Sequence, residues 1–187
     1  MGYGFGRDAC LRQFLHRMEA ERRDVIERSI KVRTGRPSDI DGLMHIALMA
    51  CEENAVTAAD PHKLLRDIWP ALNLDHGIVG IIGDDPIEAA ILLKTEPFWY
   101  APDDQLCLLE RAIFVHPEYR SAKGGRARLL CEWAKNASKE LEMPLIIGVL
   151  SSERTEAKMR LYMRQFGEPA GMYFIYGART GSAGKMA

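Results

Sequence analysis

The chain has 187 residues, of which 47% are apolar and 27% are charged. This composition is typical of one soluble globular domain with a short appendage, and it excludes disordered and collagen-like proteins. Lys and Arg together number 25, and Asp and Glu together number 26, which leaves a formal charge of -1. No nucleic acid and no membrane is therefore expected as a partner.

Residues 1–29 form the first predicted segment, which contains an amphipathic helix over residues 8–28. The apolar side chains of this helix recur at helical spacing, and arginines alternate with acidic residues around them. The stripe predicts packing onto the rest of the domain; the alternatives are a homodimer or docking to a larger assembly. The segment lacks the apolar stretch of a signal peptide, so a cytoplasmic protein is expected.

The four cysteines are far apart in sequence and form no C-x-x-C pair. No histidine stands close to a cysteine at the spacing of metal ligands. We therefore predict free thiols in a reducing compartment and no bound metal.

Strand and helix patterns open the domain. Residues 30–34 have strand character, and Pro37-Ser38-Asp39 predicts the start of a helix that continues to Leu48. Asp60-Pro61 is a second capping signal, and the apolar residues that follow it predict a short helix to Trp69. The first predicted unit is therefore one strand followed by two helices.

Apolar residues then alternate with a period of two, which predicts strands. Residues 77–82 and 87–94 are expected to form a hairpin around the turn at residues 83–86. A third strand is expected over residues 105–115, after a loop.

A helical period returns over residues 124–140. The strand predicted at residues 145–150 is an unbroken apolar run, which indicates burial on both faces. A helix over residues 159–166 and a strand over residues 172–176 follow, and residues 180–187 are expected to be a loose tail. The order βααβββαβαβ predicts one mixed sheet flanked by helices, in the α/β or α+β class.

One stretch combines glycines with cations where the third strand ends and the next helix begins. Gly124 and Gly125 would let a ligand approach the backbone, and four cations, Arg120, Lys123, Arg126 and Arg128, stand within nine residues. Amide groups and the positive end of a helix dipole bind pyrophosphate. The stretch predicts a phosphate-binding loop; the alternative is a glycine-rich helix start with solvated arginines.

This stretch, F-V-H-P-E-Y-R-S-A-K-G-G-R-A-R-L-L, resembles the acetyl-CoA-binding motif V-x-P-x-x-R-x-x-G-x-G/A of the GNAT (Gcn5-related) N-acetyltransferase superfamily. The run from Ile30 is similar to the opening strand and helix of that family, and A-K-M-R-L-Y-M-R-Q-F-G is similar to its late helix, A-x-x-L-Y-x-x-x-G-F. The resemblance covers residues 30–179 and implies a mostly antiparallel central sheet. Lys123 stands where the first motif glycine is expected, unless the loop is shifted by one residue to Gly124.

The resemblance implies acetyl-CoA as co-substrate. The strand before the loop would pair with the pantetheine arm through its backbone, and the loop would bind the pyrophosphate. The residues implied in cofactor binding are Ile113, Phe114, Val115, Arg120, Ser121, Ala122, Lys123, Gly124, Gly125 and Arg126.

Two residues match catalytic positions of the family. Glu110 would accept a proton from the attacking amine, and Tyr162 would donate to the departing CoA thiolate. The alternatives are an ordinary charge on the exposed face of a strand for Glu110 and a core tyrosine for Tyr162.

The acceptor pocket of such folds is walled by the first helices and by the loop between the third and fourth strands, counted from the strand at residues 30–34. That region implies five acceptor contacts, which are Glu52, Glu53, Phe98, Trp99 and Tyr100. The aromatic residues could equally form a packing cluster, and the two glutamates could equally form a solvated helix end.

The resulting prediction is an acyltransferase that moves an acetyl group from acetyl-CoA to a primary amine of a small molecule or protein. One alternative is a degenerate CoA-binding fold that acts as a binding or assembly protein through its N-terminal helix; the serine-bearing loop is also similar to acetyltransferase-like proteins of phages. Another is a GNAT-fold enzyme of different chemistry, such as modification of a nucleobase or a protein terminus.

Overall fold

The structure, a computed structural model, describes residues 30–54, 57–120, 125–149 and 154–171. Its elements belong to one compact unit, Val32–Ala187. The described strands are β1 (Arg33–Thr34), β2 (Gly77–Ile82), β3 (Ala89–Pro97), β4 (Leu106–Val115) and β5 (Leu145–Ile146). The described helices are α1 (Ile40–Asn54), α2 (Pro61–Leu72), α3 (Gly125–Glu140) and α4 (Thr155–Phe166).

The described order of elements is the predicted one, and the predicted mixed sheet is confirmed. The helix predicted over residues 8–28, the strand over residues 172–176 and the tail at residues 180–187 lie outside the described residues. The division into an N-terminal extension, a domain and a tail stays a prediction.

The five strands form one sheet in the order β1-β2-β3-β4-β5. The first four are antiparallel to their neighbours, and β5 runs parallel to β4. The register between β3 and β4 shifts by one residue after Leu92. Leu92 lies opposite Ala112, whereas the next residue, Leu93, lies opposite Glu110. Arg111 is therefore the extra residue of a β-bulge, which bends β4 at this point.

Strand β5 departs from the prediction in its length. It pairs with β4 only at Leu145 and Ile146, and both residues are half-buried rather than buried on two faces. The N–H of Gly148 donates to the Glu110 carboxylate at 3.1 Å instead of continuing the ladder. Strands β4 and β5 consequently separate after Ile146, and we call this opening the splay.

Helices cover both faces of the sheet. Helices α1 and α2 pack on one face around a buried cluster that includes Leu43, Ile68, Val79 and Phe114. Helix α3 packs on the opposite face, where Gly80 lies so close to Trp133 that a Cβ atom would be 2.7 Å from the indole ring. Because both faces are covered, β2 is apolar along its whole length.

The cap predicted for the second helix is confirmed. The Asp60 carboxylate accepts hydrogen bonds from the N–H groups of His62 and Lys63 at 2.9 and 3.3 Å. It thus satisfies two amides of the first turn of α2. None of the described helices is long and apolar enough to cross a membrane.

Candidate active site

A cavity of about 290 Å³ lies beside the end of β4, and we call it the cationic cavity. Its walls come from β4, the loop after β4, the first turn of α3, helix α4 and the last turn of α1. Six cations and a single carboxylate, that of Glu53, contribute to its described lining. The cations are Arg120, Arg126, Arg154, Lys158, Arg160 and Arg164.

The β4 edge at the splay presents alternate backbone groups to the cavity. Successive residues of an antiparallel strand turn their N–H and C=O groups to opposite sides. Val115 faces the splay, since its carbonyl oxygen accepts a hydrogen bond from Arg120 Nε at 2.8 Å. Ile113 faces it as well, and its N–H donates to the Glu110 carboxylate. Phe114 faces β3 with its backbone, so only Ile113 and Val115 have edge groups that a ligand could reach.

Arg120 crosses the cavity wall instead of pointing away from the fold. Its guanidinium forms an ion pair with Glu53, lies 5.0 Å from the centre of the Phe114 ring, and is mostly buried. Together with the bond to Val115, these contacts join the loop after β4 to the last turn of α1. We call this arrangement the Arg120 bridge.

The loop predicted to bind phosphate is described only at its ends. Gly125 is buried and begins α3, whereas Ser121, Ala122, Lys123 and Gly124 lie outside the described residues. Arg126 lines the cavity but also pairs with Glu88 at 2.7 Å and donates to the Tyr119 carbonyl oxygen at 3.1 Å. Arg128 pairs with Glu132 along α3. A phosphate at this loop would therefore share Arg126 with Glu88.

Helix α4 and Arg154, the residue before it, supply cations that the sequence analysis missed. Arg154, Lys158, Arg160 and Arg164 all line the cavity. A signal was available, because residues 154 and 158 and residues 160 and 164 are both four positions apart and therefore neighbours on a helix. What the sequence lacked was the knowledge that α4 faces the end of β4.

Tyr162 is buried at the base of the cationic cavity, with 7% of its surface exposed. Its hydroxyl is buried and has no hydrogen-bond partner among the described residues. Burial, together with the nearby Glu110 carboxylate, raises the pKa of this phenol well above its usual range. The hydroxyl therefore keeps its proton at neutral pH and can donate it in a hydrogen bond to a ligand.

Glu110 lies at the branch point of the splay. Its carboxylate accepts hydrogen bonds from Gly148 and Ile113, yet burial raises its pKa to about 7. A carboxyl group with that pKa exchanges protons near neutral pH, as a general base requires. Glu110 is absent from the lining of the cationic cavity. Lys158, which does line it, lies close enough to interact electrostatically with Glu110, and burial lowers the pKa of Lys158.

The described cysteines are free thiols, as predicted. Burial raises the pKa of Cys51 and Cys107, and it raises that of Cys131 to about 12. All three thiols are consequently protonated at neutral pH and are poor nucleophiles. In the described part of the chain, no group of three or more His, Cys, Asp and Glu side chains has the arrangement of a metal site.

The predicted acceptor contacts lie in different places. Glu53 lines the cationic cavity, whereas Glu52 is exposed on α1. Phe98, Trp99 and Tyr100 form edge-to-face contacts in the loop after β3, where Trp99 is 87% exposed and Tyr100 is 71% exposed. These three aromatics line neither the cationic cavity nor the second cavity described next, and their contact with an acceptor stays a prediction.

A second cavity, of about 180 Å³, lies between helices α1 and α2 and the sheet, and we call it the apolar cavity. Phe114 lines both cavities, and the last turn of α1 contributes to both, through Glu53 on one side and Cys51 and Asn54 on the other. The two cavities are therefore neighbours across Phe114.

Comparison with known proteins identifies the fold. No family profile matches the chain, and no curated protein matches it significantly. Solved structures do match it over most of their length. A possible acetyltransferase from Clostridium difficile 630 is 21% identical with a TM-score of 0.57, covering 80% of this chain and 97% of the other.

Two further structures contain a bound cofactor or analogue. The aminoglycoside acetyltransferase AAC(6')-Iy, in complex with a CoA bisubstrate analogue, is 14% identical with a TM-score of 0.59 and covers 80% of this chain and 98% of its own. A predicted acetyltransferase from Clostridium acetobutylicum with acetyl-CoA is 15% identical with a TM-score of 0.57. The match covers 79% of this chain and 96% of the other. The predicted fold is thus confirmed: the chain has the fold of the GNAT acetyltransferases.

Proposed function

We propose that this chain, which has the GNAT fold, transfers an acetyl group from acetyl-CoA to a primary amine by direct attack. The observation that carries the proposal is the cationic cavity. It combines a strand edge that pairs with no described strand beyond Leu109, six cations against one described carboxylate in the lining, and a buried tyrosine hydroxyl without a described partner. A ligand that suits all three features carries phosphate groups, peptide-like amides and a group that accepts a hydrogen bond deep in the cavity.

Acetyl-CoA has these three properties. The cations of α4 and the first turn of α3 would bind its phosphates, and Ile113 and Val115 would pair with the amides of its pantetheine arm. Tyr162 supports the fit most directly, because a buried polar group without a partner costs free energy that a ligand recovers. When bound, acetyl-CoA supplies the thioester whose carbonyl carbon the amine attacks.

The side chains and backbone of β4 would handle the charges of that attack. The Val115 N–H faces the splay and would donate to the carbonyl oxygen as it becomes negative. Glu110 would take the proton that the amine loses, through a water molecule, since Glu110 itself does not line the cavity. Its pKa of about 7 suits this transfer at neutral pH.

Tyr162 would complete the reaction at the sulfur atom. As the new C–N bond forms and the C–S bond breaks, the tyrosine hydroxyl would donate a hydrogen bond to the departing thiolate. Its raised pKa favours this role over full proton release. The protonated state of the three described cysteines favours direct attack over an acetyl-cysteine intermediate.

A second candidate function is CoA binding without catalysis. The Arg120 bridge supports it, because Arg120 occupies the Val115 carbonyl that a pantetheine amide would use. If the bridge holds when the ligand binds, the chain would act as a binding or assembly protein. If Arg120 is released, the edge becomes available for the reaction.

Calorimetry with CoA, followed by an acetyl-CoA consumption assay over amine classes, tests the proposal. Gly125→Glu puts bulk and negative charge at the buried start of α3, and we expect it to weaken CoA binding at least about tenfold. Gly171→Glu is the matched control, since a Cβ atom there would have no neighbour within 4 Å. Equal loss in both variants would contradict the placement of the cofactor, and binding without turnover of any amine would favour the second candidate.

A further inference from the structure

The apolar cavity has the composition of a binding pocket for a hydrocarbon group. Of its fifteen lining residues, only Asn54, Asp67 and Arg111 are polar. The apolar residues include Ala47 and Ala50 of α1 and Ala90, Ala112 and Phe114 of the sheet. A ligand in this cavity would bind mainly by burying its apolar surface and would form few hydrogen bonds.

Small side chains and a β-bulge in β4 together leave space for this cavity. Ala47 and Ala50 of α1 face Ala90 and Ala112 of the sheet across the cavity, so the facing layers leave space between them. The bulge at Arg111 bends β4 beside that space. Protein interiors otherwise pack with few voids larger than a water molecule, so an opening of about 180 Å³ is large for a core defect.

The size of the cavity limits the group that it can hold. An apolar cavity of about 150 Å³ in another protein binds benzene. At about 180 Å³, the apolar cavity has room for a phenyl ring or a branched alkyl group. It is too small for the linked rings of a sugar-based acceptor.

The charges around the cavity also limit the acceptor. Asp67 pairs with Lys94 at 2.9 Å, and Glu53, on the neighbouring wall, pairs with Arg120. Arg111 pairs with Glu96. Each acidic side chain of these walls is thus already matched by a cation, and a ligand with several positive charges would find no excess of negative charge among the described residues.

We propose that the acceptor is a monoamine that carries one small apolar group, with this group in the apolar cavity and the amine directed past Phe114 toward the cationic cavity. This inference rests on the proposed function, since it names the substrate class of that site. It follows from the shared Phe114 wall, the apolar lining and the matched charges.

The experiment compares three amines. The probes are 2-phenylethylamine, methylamine, which lacks an apolar group, and the polycation kanamycin. We expect 2-phenylethylamine to have a kcat/KM at least about a hundredfold above that of methylamine, because its ring leaves water. Calorimetric binding of 2-phenylethylamine, measured with CoA present, provides a readout that needs no turnover.

Two variants fill the cavity. Ala112→Leu adds side-chain volume from β4, and Ala47→Leu adds it from α1. If one variant does not fold, the other still tests the inference. Each is expected to lower the affinity and the kcat/KM for 2-phenylethylamine at least about tenfold, with less than about a threefold change for methylamine. Ala137→Leu in α3 is the matched control, because Ala137 is half-buried and lines neither cavity.

The outcomes separate the inference from the proposed function. Binding of 2-phenylethylamine that the cavity-filling variants abolish, without turnover of any amine, would support the pocket and overturn the transferase. Turnover that favours kanamycin or methylamine, or that Ala112→Leu and Ala47→Leu leave unchanged for 2-phenylethylamine, would overturn the inference and leave the transferase standing. Failure of 2-phenylethylamine to bind would also overturn it.

Discussion

The cationic cavity and the apolar cavity share Phe114, but they are built in opposite ways. The cationic cavity gathers long cationic side chains from three segments of the chain beside the end of β4. The apolar cavity is formed by alanines that leave space between α1 and the sheet. The cationic cavity depends on charged groups, which a substitution can remove. The apolar cavity depends on the small volume of its alanines, so a substitution by a larger residue can fill it.

The same contrast appears in the charges. Among the described lining residues, the apolar cavity has one acid and one cation, Asp67 and Arg111, whereas the cationic cavity has six cations and one carboxylate. Two of those six cations, Arg126 and Arg160, pair with Glu88 and Glu156 outside the lining. An excess of one sign attracts a ligand of the opposite sign. We therefore expect variants of the cationic side to change cofactor use and catalysis, and variants of the apolar side to change acceptor choice.

Glu110→Gln is expected to have the largest effect. An amide cannot accept the proton of the amine, so kcat should fall by about a thousandfold. In the wild type, kcat/KM should rise with pH and level off above a midpoint set by the Glu110 pKa of about 7, and this midpoint should disappear in the variant. A pH profile with the same midpoint in both proteins would assign the titration to another group.

Stability gives a second test of Glu110. Its pKa is about 7 in the folded chain against 4.5 when exposed, so the folded state binds more protons between these values. The stabilising contribution is full below pH 4.5 and is lost as the pH rises through 7. The free energy of unfolding should fall over this interval by at most about 3 kcal/mol. Urea unfolding of Glu110→Gln should lack this slope.

Tyr162→Phe is expected to lower kcat by about a hundredfold, because the thiolate loses its hydrogen-bond donor. CoA affinity should fall much less, by about fivefold, because the bound ligand supplies the hydrogen-bond partner that this hydroxyl otherwise lacks. The free energy of unfolding should stay equal or rise, since the lost hydroxyl is buried without a described partner. A stable variant with unchanged kcat would make Tyr162 a core residue only.

The Arg120 bridge forms part of the wall of the cationic cavity, and Arg120→Met should break it. The variant leaves the mostly buried Glu53 carboxylate without its Arg120 partner, at a cost of about 2 kcal/mol in unfolding free energy. Adding Glu53→Gln should recover most of that loss. Urea unfolding of the two single variants and the double variant measures the coupling; additive losses would mean that the pair contributes nothing.

Trp99→Ala should have the smallest effect. The indole is 87% exposed and lines neither cavity. We expect less than about 0.5 kcal/mol in unfolding free energy and an unchanged KM for the acceptor. A KM increase of about tenfold would instead support the aromatic loop as an acceptor contact.

Much of the fold could be read from local patterns. The two apolar strand segments, the turn between them and the Asp60 cap of α2 all involve neighbouring residues. Strand β2 occupies its predicted residues but is apolar throughout instead of alternating, and β3 spans Ala89–Pro97 where residues 87–94 were predicted. The end of β5 could not be predicted in this way. Its apolar run continues past Ile146, but the Gly148 N–H binds the Glu110 carboxylate, which is 38 residues away in sequence.

The candidate site divides along the same line. The order of the motif residues along the chain is enough to indicate a phosphate-binding loop after β4 and a tyrosine in the late helix, because these depend on residue type and spacing. The packing of distant segments decides the rest. It pairs Arg120 with Glu53 and brings the cations of α4 to the cationic cavity. It also leaves a space between the alanines of α1 and the bulged strand β4. These features depend on which helix face packs against which strand. The pattern of residue types along the chain shows that a face is apolar or charged, but it does not show which distant segment packs against it.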